Sequence, residues 1–192
     1  MKRLLILTLL AVWVLPTPAA RARQFDPIRP VHTADVGRYL GRWHVLAAIT
    51  PRFERDSYNA VETFRRNDDG SLCIWLRQRH GGFDAPARLF KSTASVVEGS
   101  GHGEWRVRFF AFLSARYLVG WLKADGTQAM VVRDARDYLW FLSRTPTVSE
   151  ADYAAMLDRA SAMGYDPTAI RRVPQRWPEL GADRDRFAGE CP

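Results

Sequence analysis

The sequence predicts an all-β fold, an eight-stranded antiparallel up-and-down barrel with one C-terminal α-helix packed outside it. Three observations predict it. Between residues 36 and 144, short segments rich in β-branched and aromatic residues recur, separated by turn chemistry. Within several of them apolar residues fall on one face at period two. At residue 149 the spacing changes to that of a helix. Closing such strands into a barrel removes the exposed edges of an open sheet and can enclose one small ligand. A two-sheet sandwich is the competing all-β solution.

Residues 1–22 are set apart from the fold. Lys2 and Arg3 precede an apolar run from Leu4 to Leu15, followed by Pro16 and an Ala20-Arg21-Ala22 site, the pattern of a secretory signal. The run is short for a permanent span, which needs roughly 20 residues; a retained anchor is the alternative. A proline-spaced lead, 23–34, comes next.

The first strand lies within VGRYLGRWHVLAA (36–48), where Gly41 stands two positions before Trp43. A glycine in a strand marks a bend or the close approach of another group. SYNAVETF (57–64) and SLCIWLRQ (71–78) follow, divided by Asn67-Asp68-Asp69-Gly70-Ser71, and His80-Gly81-Gly82 ends the third strand. LFKSTASVV (89–97) and EWRVRFF (104–110) flank the glycine-rich turn 98–103. YLVGWL (117–122), QAMVVR (128–133) and YLWFLSR (138–144) complete eight strands. Alternation places Tyr58, Ala60 and Phe64 on one face, with Glu62 among them. It does the same for Trp105, Val107 and Phe109, for Tyr117, Val119 and Trp121, and for Tyr138, Trp140 and Leu142.

Ser149 is positioned to cap a helix whose first turn carries Asp152. Tyr153, Met156, Leu157, Ala160 and Met163 form its apolar stripe, and Gly164 suits a left-handed C-terminal turn before Tyr165. The spacing therefore predicts a barrel-plus-helix unit over 35–175 and a polar tail over 176–192, with no second domain.

The composition, 47% hydrophobic and 26% charged, is that of a globular chain. Removing residues 1–22 takes away Lys2, Arg3 and Arg21 and no acid, lowering the formal charge from +7 to +4. The arginines are dispersed along strands as alternate residues, such as Arg77/Arg79 and Arg106/Arg108, which reads as a solvated face and not as a nucleic-acid footprint. Two cysteines are present, Cys73 and Cys191. An exported chain permits a disulfide between them; a buried thiol at Cys73 with a free thiol on the tail is the other reading.

Several chemistries find no support. Gly99-Ser100-Gly101 sits in a hairpin turn, and its glycines lack the strand-to-helix step of a phosphate loop. His32, His44, His80 and His102 are isolated, without metal-ligand spacing, and His44 alternates outward next to Trp43. No metal or cofactor is expected. Glu62 is the distinctive polar residue, because a carboxylate on an inner face needs a partner. It either reaches solvent or an arginine, or it orients a ligand's polar end.

Gly41-x-Trp43 in the first strand and Arg144 after the last resemble the lipocalin signature, in which the tryptophan closes the barrel floor and the arginine packs over its ring. The ordered set of Asp35–Trp43, Arg52-Phe53-Glu54-Arg55, Asp68-Asp69-Gly70, Val107–Phe110, Tyr138–Pro146 and Gly164-Tyr165-Asp166 is similar to the bacterial lipocalin and apolipoprotein D-like group. His44 stands where that group usually has Tyr, Ala48 where it has Arg, and Ala111-Phe112-Leu113 where Gly-Pro-Phe is usual.

The resemblance implies a non-enzymatic carrier of a hydrophobic small molecule, a fatty acid or lysophospholipid, serving membrane maintenance under stress. Its expected ligand contacts are Tyr58, Ala60, Glu62, Phe64, Val107, Phe109, Tyr117, Val119, Trp140 and Leu142. Bacterial relatives are typically acylated on a cysteine just after the signal. None stands there in this sequence, so a soluble periplasmic protein is expected, with outer-membrane association or a homodimer as further possibilities. A lipid- or carotenoid-modifying isomerase or de-epoxidase, with Glu62 or Cys73 as its reactive group, and a haem or pigment carrier are the alternatives.

Overall fold

The computed structural model describes residues 25–33, 35–50, 54–110 and 113–179. The expected signal segment, Arg52-Phe53, Ala111-Phe112 and Cys191 lie outside the described residues.

The strands are β1 (Gly41–Ile49), β2 (Ser57–Arg66), β3 (Leu72–His80), β4 (Ala87–Val96), β5 (Glu104–Phe110), β6 (Leu113–Leu122), β7 (Gln128–Val132) and β8 (Leu139–Ser143). Each pairs antiparallel with the next, and β1 pairs with both β8 and β2. The sheet is therefore closed, an eight-stranded barrel as the alternation predicts. After the helix α1 (Glu150–Ala162), a two-residue strand β9 (Arg171–Arg172) adds to the far half of β1.

Two apolar clusters hold this together. One fills the barrel, with Trp43, Phe64, Leu72, Ile74, Trp105, Val107, Val119 and Trp140 among its members. The other lies between the outer face of β1, β6, β7 and β8 and the helix, where Leu46, Leu118, Met130 and Phe141 meet Tyr153, Met156 and Ala160. Ser149 caps α1 by accepting from the Asp152 amide at 3.0 Å. Gly164 ends it at φ +89°, and a Cβ there would lie 2.5 Å from the Phe25 ring.

One end of the barrel is plugged. A 3₁₀ turn, Val36–Tyr39, is capped by Asp35 and puts Val36 and Tyr39 into the interior cluster. The Trp43 indole donates to the Tyr39 carbonyl at 2.7 Å. The Arg144 guanidinium lies 3.5 Å from the Trp43 ring centroid and donates to the carbonyls of Arg42 (2.8 Å) and Arg38 (3.0 Å). Gly41 has φ +89°, and a Cβ on it would stand 3.4 Å from Arg144 Nη1. Both the backbone conformation and the crowding favour glycine there.

Four bulges change what alternation predicts. An extra residue near Leu46 in β1 puts Ala48, and not Ala47, beside Val45 on the inner face. A second bulge, between Tyr58 and Val61 in β2, contains Asn59 at φ +47°. Tyr58 consequently faces outward with Arg79 and packs edge-on against Phe83 at 5.0 Å. A third, at Gly120 in β6, turns Trp121 out against the helix, where Arg159 covers its ring. The fourth, between Arg108 and Phe110, leaves Phe109 38% exposed at the open end. The inward placements expected for Tyr58 and Trp121 are thus corrected, in each case because one inserted residue disrupts the pleat's parity.

Residues 176–179, the described start of the expected tail, are fastened to the barrel together with residues 173–175. Residues 173–179 run along the gap where β1 parts from β2. The Asn59 amide donates to the Pro174 carbonyl at 2.9 Å, Gln175 Nε2 to the Val45 carbonyl at 2.8 Å, and the Arg176 amide to Asn59 Oδ1 at 2.7 Å. Glu179, 6% exposed, closes the strap by accepting from Asn59 (2.8 Å), Arg79 (3.1 Å) and Arg77.

Candidate functional site

The end of the barrel opposite Trp43 contains a cleft of about 200 Å³, counting its opening to solvent. Its position follows from the bulges and the strap. Beyond His44↔Val61, β1 and β2 no longer pair, and Val173 of the strap forms the wall between them. Val45 and Ala48 come from β1, Ser57 and Ala60 from β2, Leu76 and Gln78 from β3, and Trp140 from β8. Thr50 and Glu54 reach it from the β1–β2 connection. Ala48, the strand partner of Trp140, and Ala60 are small, which leaves the space beside the indole.

The cleft's chemistry is apolar on one side and acidic on the other. The Ser57 hydroxyl donates to the Glu54 carbonyl at 2.6 Å and lies against the Gln78 amide. Burial pushes the Glu54 carboxyl up to about 7, and its Oε2 has no hydrogen-bond partner. One inner-face position deeper than Ala60 lies Glu62, 1% exposed, between Trp43 of β1 and Leu76 of β3 in the registers. Its Oε2 is also without a partner. Burial, and then the neighbouring Glu54 charge, push the Glu62 carboxyl well above the usual carboxylate range.

An aromatic group faces these acids. The Tyr117 and Tyr138 hydroxyls are hydrogen-bonded to each other at 2.9 Å, and the Trp140 ring is 5.2 Å from that of Tyr138. Burial raises both phenols, reinforced by the Glu62 and Glu54 charges. Below them, Phe64 and Tyr39 meet Trp105 edge-on at 5.2 and 5.1 Å, forming a packed floor.

The sequence-predicted contacts divide accordingly. Ala60 and Trp140 line the cleft. Glu62, Phe64, Val107, Tyr117, Val119 and Leu142 are buried inside the barrel but lie outside the cleft's lining. Tyr58 is outside the barrel wall, and Phe109 is at the mouth. Leu76 and Gln78 were within reach of alternation, since they continue the inner set Leu72 and Ile74. Ala48 and Ser57 were displaced by bulges, and Val173 arrives from beyond the helix.

Cys73 is fully buried, alternates outward between Leu72 and Ile74, and is disulfide-bonded. It offers no thiol to the cup, which removes it as the reactive group of an enzyme there. His44 faces outward, packed on Trp177 at 5.1 Å, with its pKa lowered chiefly by burial. Among the described residues no three His, Cys, Asp or Glu side chains are grouped to hold a metal ion.

Comparison with known proteins fits this architecture. The outer membrane lipoprotein Blc of Escherichia coli K12 is 32% identical over 148 residues, which is 76% of this chain and 81% of that protein. The Vibrio cholerae outer membrane lipoprotein Blc is 27% identical over 152 residues, covering 79% and 88%. Temperature-induced lipocalin-1 of Arabidopsis thaliana is 28% identical over 153 residues, covering 73% and 79%. Two solved structures share the fold at low identity. The cockroach allergen Per a 4 has a TM-score of 0.60 at 14% identity, covering 80% of this chain and 97% of its own. Insecticyanin of the tobacco hornworm Manduca sexta has 0.59 at 11%, covering 78% and 85%. The Lipocalin-like domain family matches residues 34–175. On that match, and on the closed barrel with its external helix, the chain belongs to the lipocalin-like family.

Proposed function

We propose that this chain carries an elongated hydrophobic molecule, an acyl lipid such as a fatty acid or lysophospholipid, with one end in the cleft, and releases it unchanged. The observation that carries this reading is the cleft itself, walled by Trp140 against Ala48 and Ala60 at the open end of a barrel plugged by Trp43 and Arg144. Its empty space reaches about 200 Å³ only when the opening to solvent is counted, so it takes no more than one end of such a ligand and the rest lies along the mouth. Phe90 supports this. Its register with Leu76 puts it on the cup's inner face, yet it is 45% exposed. Each methylene removed from water there stabilises the complex by about 0.8 kcal/mol.

The same reading includes export to the bacterial envelope and a part in membrane maintenance. It is supported by the signal-like residues 1–22 and by relatives named as outer membrane lipoproteins. Among the described residues no helix is long and apolar enough to cross a membrane. Native mass spectrometry of protein purified without detergent tests the carrier reading. One acyl-chain molecule per chain is the expected result; consistent purification of an empty chain that also fails to take up decanol would overturn it.

A further inference from the structure

The carrier reading leaves open which polar end enters the cup, and the cleft's own charges bear on that choice. Glu54 lines the cleft, Glu62 lies one inner-face position deeper than the lining residue Ala60, and each has a buried carboxyl oxygen without a hydrogen-bond partner. The two acids are close enough for their charges to oppose each other, and an unpaired buried acid is costly. No arginine, lysine or histidine is among the described residues that line the cleft.

The nearest cations on neighbouring elements do not answer this need. Arg171 shares Ala48's face through the β9 register but does not line the cleft; its Nη1 donates to the Arg172 carbonyl at 3.2 Å, and its buried Nη2 reaches neither acid and has no partner. Arg88 shares the inner face through Gln78 but is exposed on the rim. The remaining titratable groups turned toward the acids are the phenols Tyr117 and Tyr138, which are acceptors or neutral donors. Trp140 supplies an aromatic face to the same cleft. An acid and an aromatic ring lining the cleft, with a second acid deeper in the barrel and no cation among the described lining residues, form a receptor for a positive charge.

We propose that the cup takes an elongated ligand whose inserted end is an organic cation, an alkylammonium or a similar basic nitrogen, held by Glu54 and Glu62 against Trp140. This rests on the carrier reading and narrows it. A fatty-acid carboxylate would enter this space against two acids, whereas a cation stabilises their ionised forms. Binding therefore releases a proton from the Glu54–Glu62 pair, and affinity for the cation rises with pH.

Isothermal titration calorimetry of the whole chain with decylammonium, decanol and decanoate, each below its aggregation threshold, tests this. Decylammonium is expected to bind at least about tenfold more tightly than decanol, with decanoate weakest. That advantage grows from about pH 5.5 to about pH 8 and is accompanied by proton release, measured by repeating the titration in buffers of different ionisation enthalpy. The double variant Glu54→Gln/Glu62→Gln should lose the advantage and keep its affinity for decanol; Glu54→Gln alone should lose most of the pH dependence. Decanoate binding as tightly as decylammonium, or an advantage that survives in a variant still able to bind decanol, would overturn the proposal and leave the carrier reading intact. Failure of all three ligands to bind would overturn both.

Discussion

Replacing Glu179 by Gln tests whether the strap is part of the folded barrel or merely lies on it. Burial alone would raise the Glu179 carboxyl, but hydrogen bonds from Arg77, Arg79 and Asn59 outweigh it and hold the pKa down at about 2, against 4.5 for a free glutamate. That difference corresponds to on the order of 3 kcal/mol in favour of the folded state. Because the folded pKa is the lower one, the contribution is present above pH 4.5 and is lost as pH falls from there toward about 2. Urea unfolding followed by tryptophan fluorescence at several pH values is the assay. The wild-type chain should exceed Glu179→Gln by about 3 kcal/mol at neutral pH, and the two should converge in strong acid. Equal stabilities at neutral pH, or a constant gap down to about pH 2, would show that the Glu179 carboxylate does not hold the strap to the barrel. Since Val173 of the same strap walls the cleft, the variant should also bind decanol more weakly.

Other predictions concern the plug, the cleft and the buried acids. Arg144→Ala removes the cation over Trp43 and two carbonyl contacts, and should lower unfolding free energy by about 2–4 kcal/mol without changing decanol affinity in the folded fraction. Ala60→Phe should fill the cleft: decanol binding measured by calorimetry is lost, while stability falls by only about 1–3 kcal/mol. Glu54 shows the opposite pH dependence to Glu179. Its folded pKa is raised from 4.5 to about 7 by burial, so its contribution is full below pH 4.5 and declines as pH rises through 7. In Glu54→Gln the urea midpoint should fall less steeply across that interval.

Much of the architecture was legible because the strands obey period two wherever the ladder is regular. Trp105 and Val107, Tyr117 and Val119, and Trp140 and Leu142 all pack inside, and the helix stripe from Tyr153 to Met163 lies against the barrel. Glu62 was legible as an inner-face acid for the same reason. Positions beyond an inserted residue were not. Nothing in SYNAVETF signals that Asn59 adopts φ +47°, because its reason is the strap, whose Pro174 and Arg176 backbone groups pair with Asn59 from more than a hundred residues away. The strap in turn reads as a polar tail, since its attachment is made through amides, a glutamate and arginines instead of an apolar stripe. Glu54 lies in a connection without periodicity, three residues before Ser57, so only the closed fold sets its carboxyl near Glu62.

On the proposed reading an apolar ligand lies against Trp140, Ala48 and Ala60 at the open end of the barrel. Isotope-filtered NOE spectroscopy of labelled protein with unlabelled decanol measures this directly. Contacts are expected from the alkyl chain to the methyl groups of Val45, Ala48 and Ala60 and to the Trp140 indole. Contacts confined to the helix side of the barrel, at Leu157 and Met163, would contradict it.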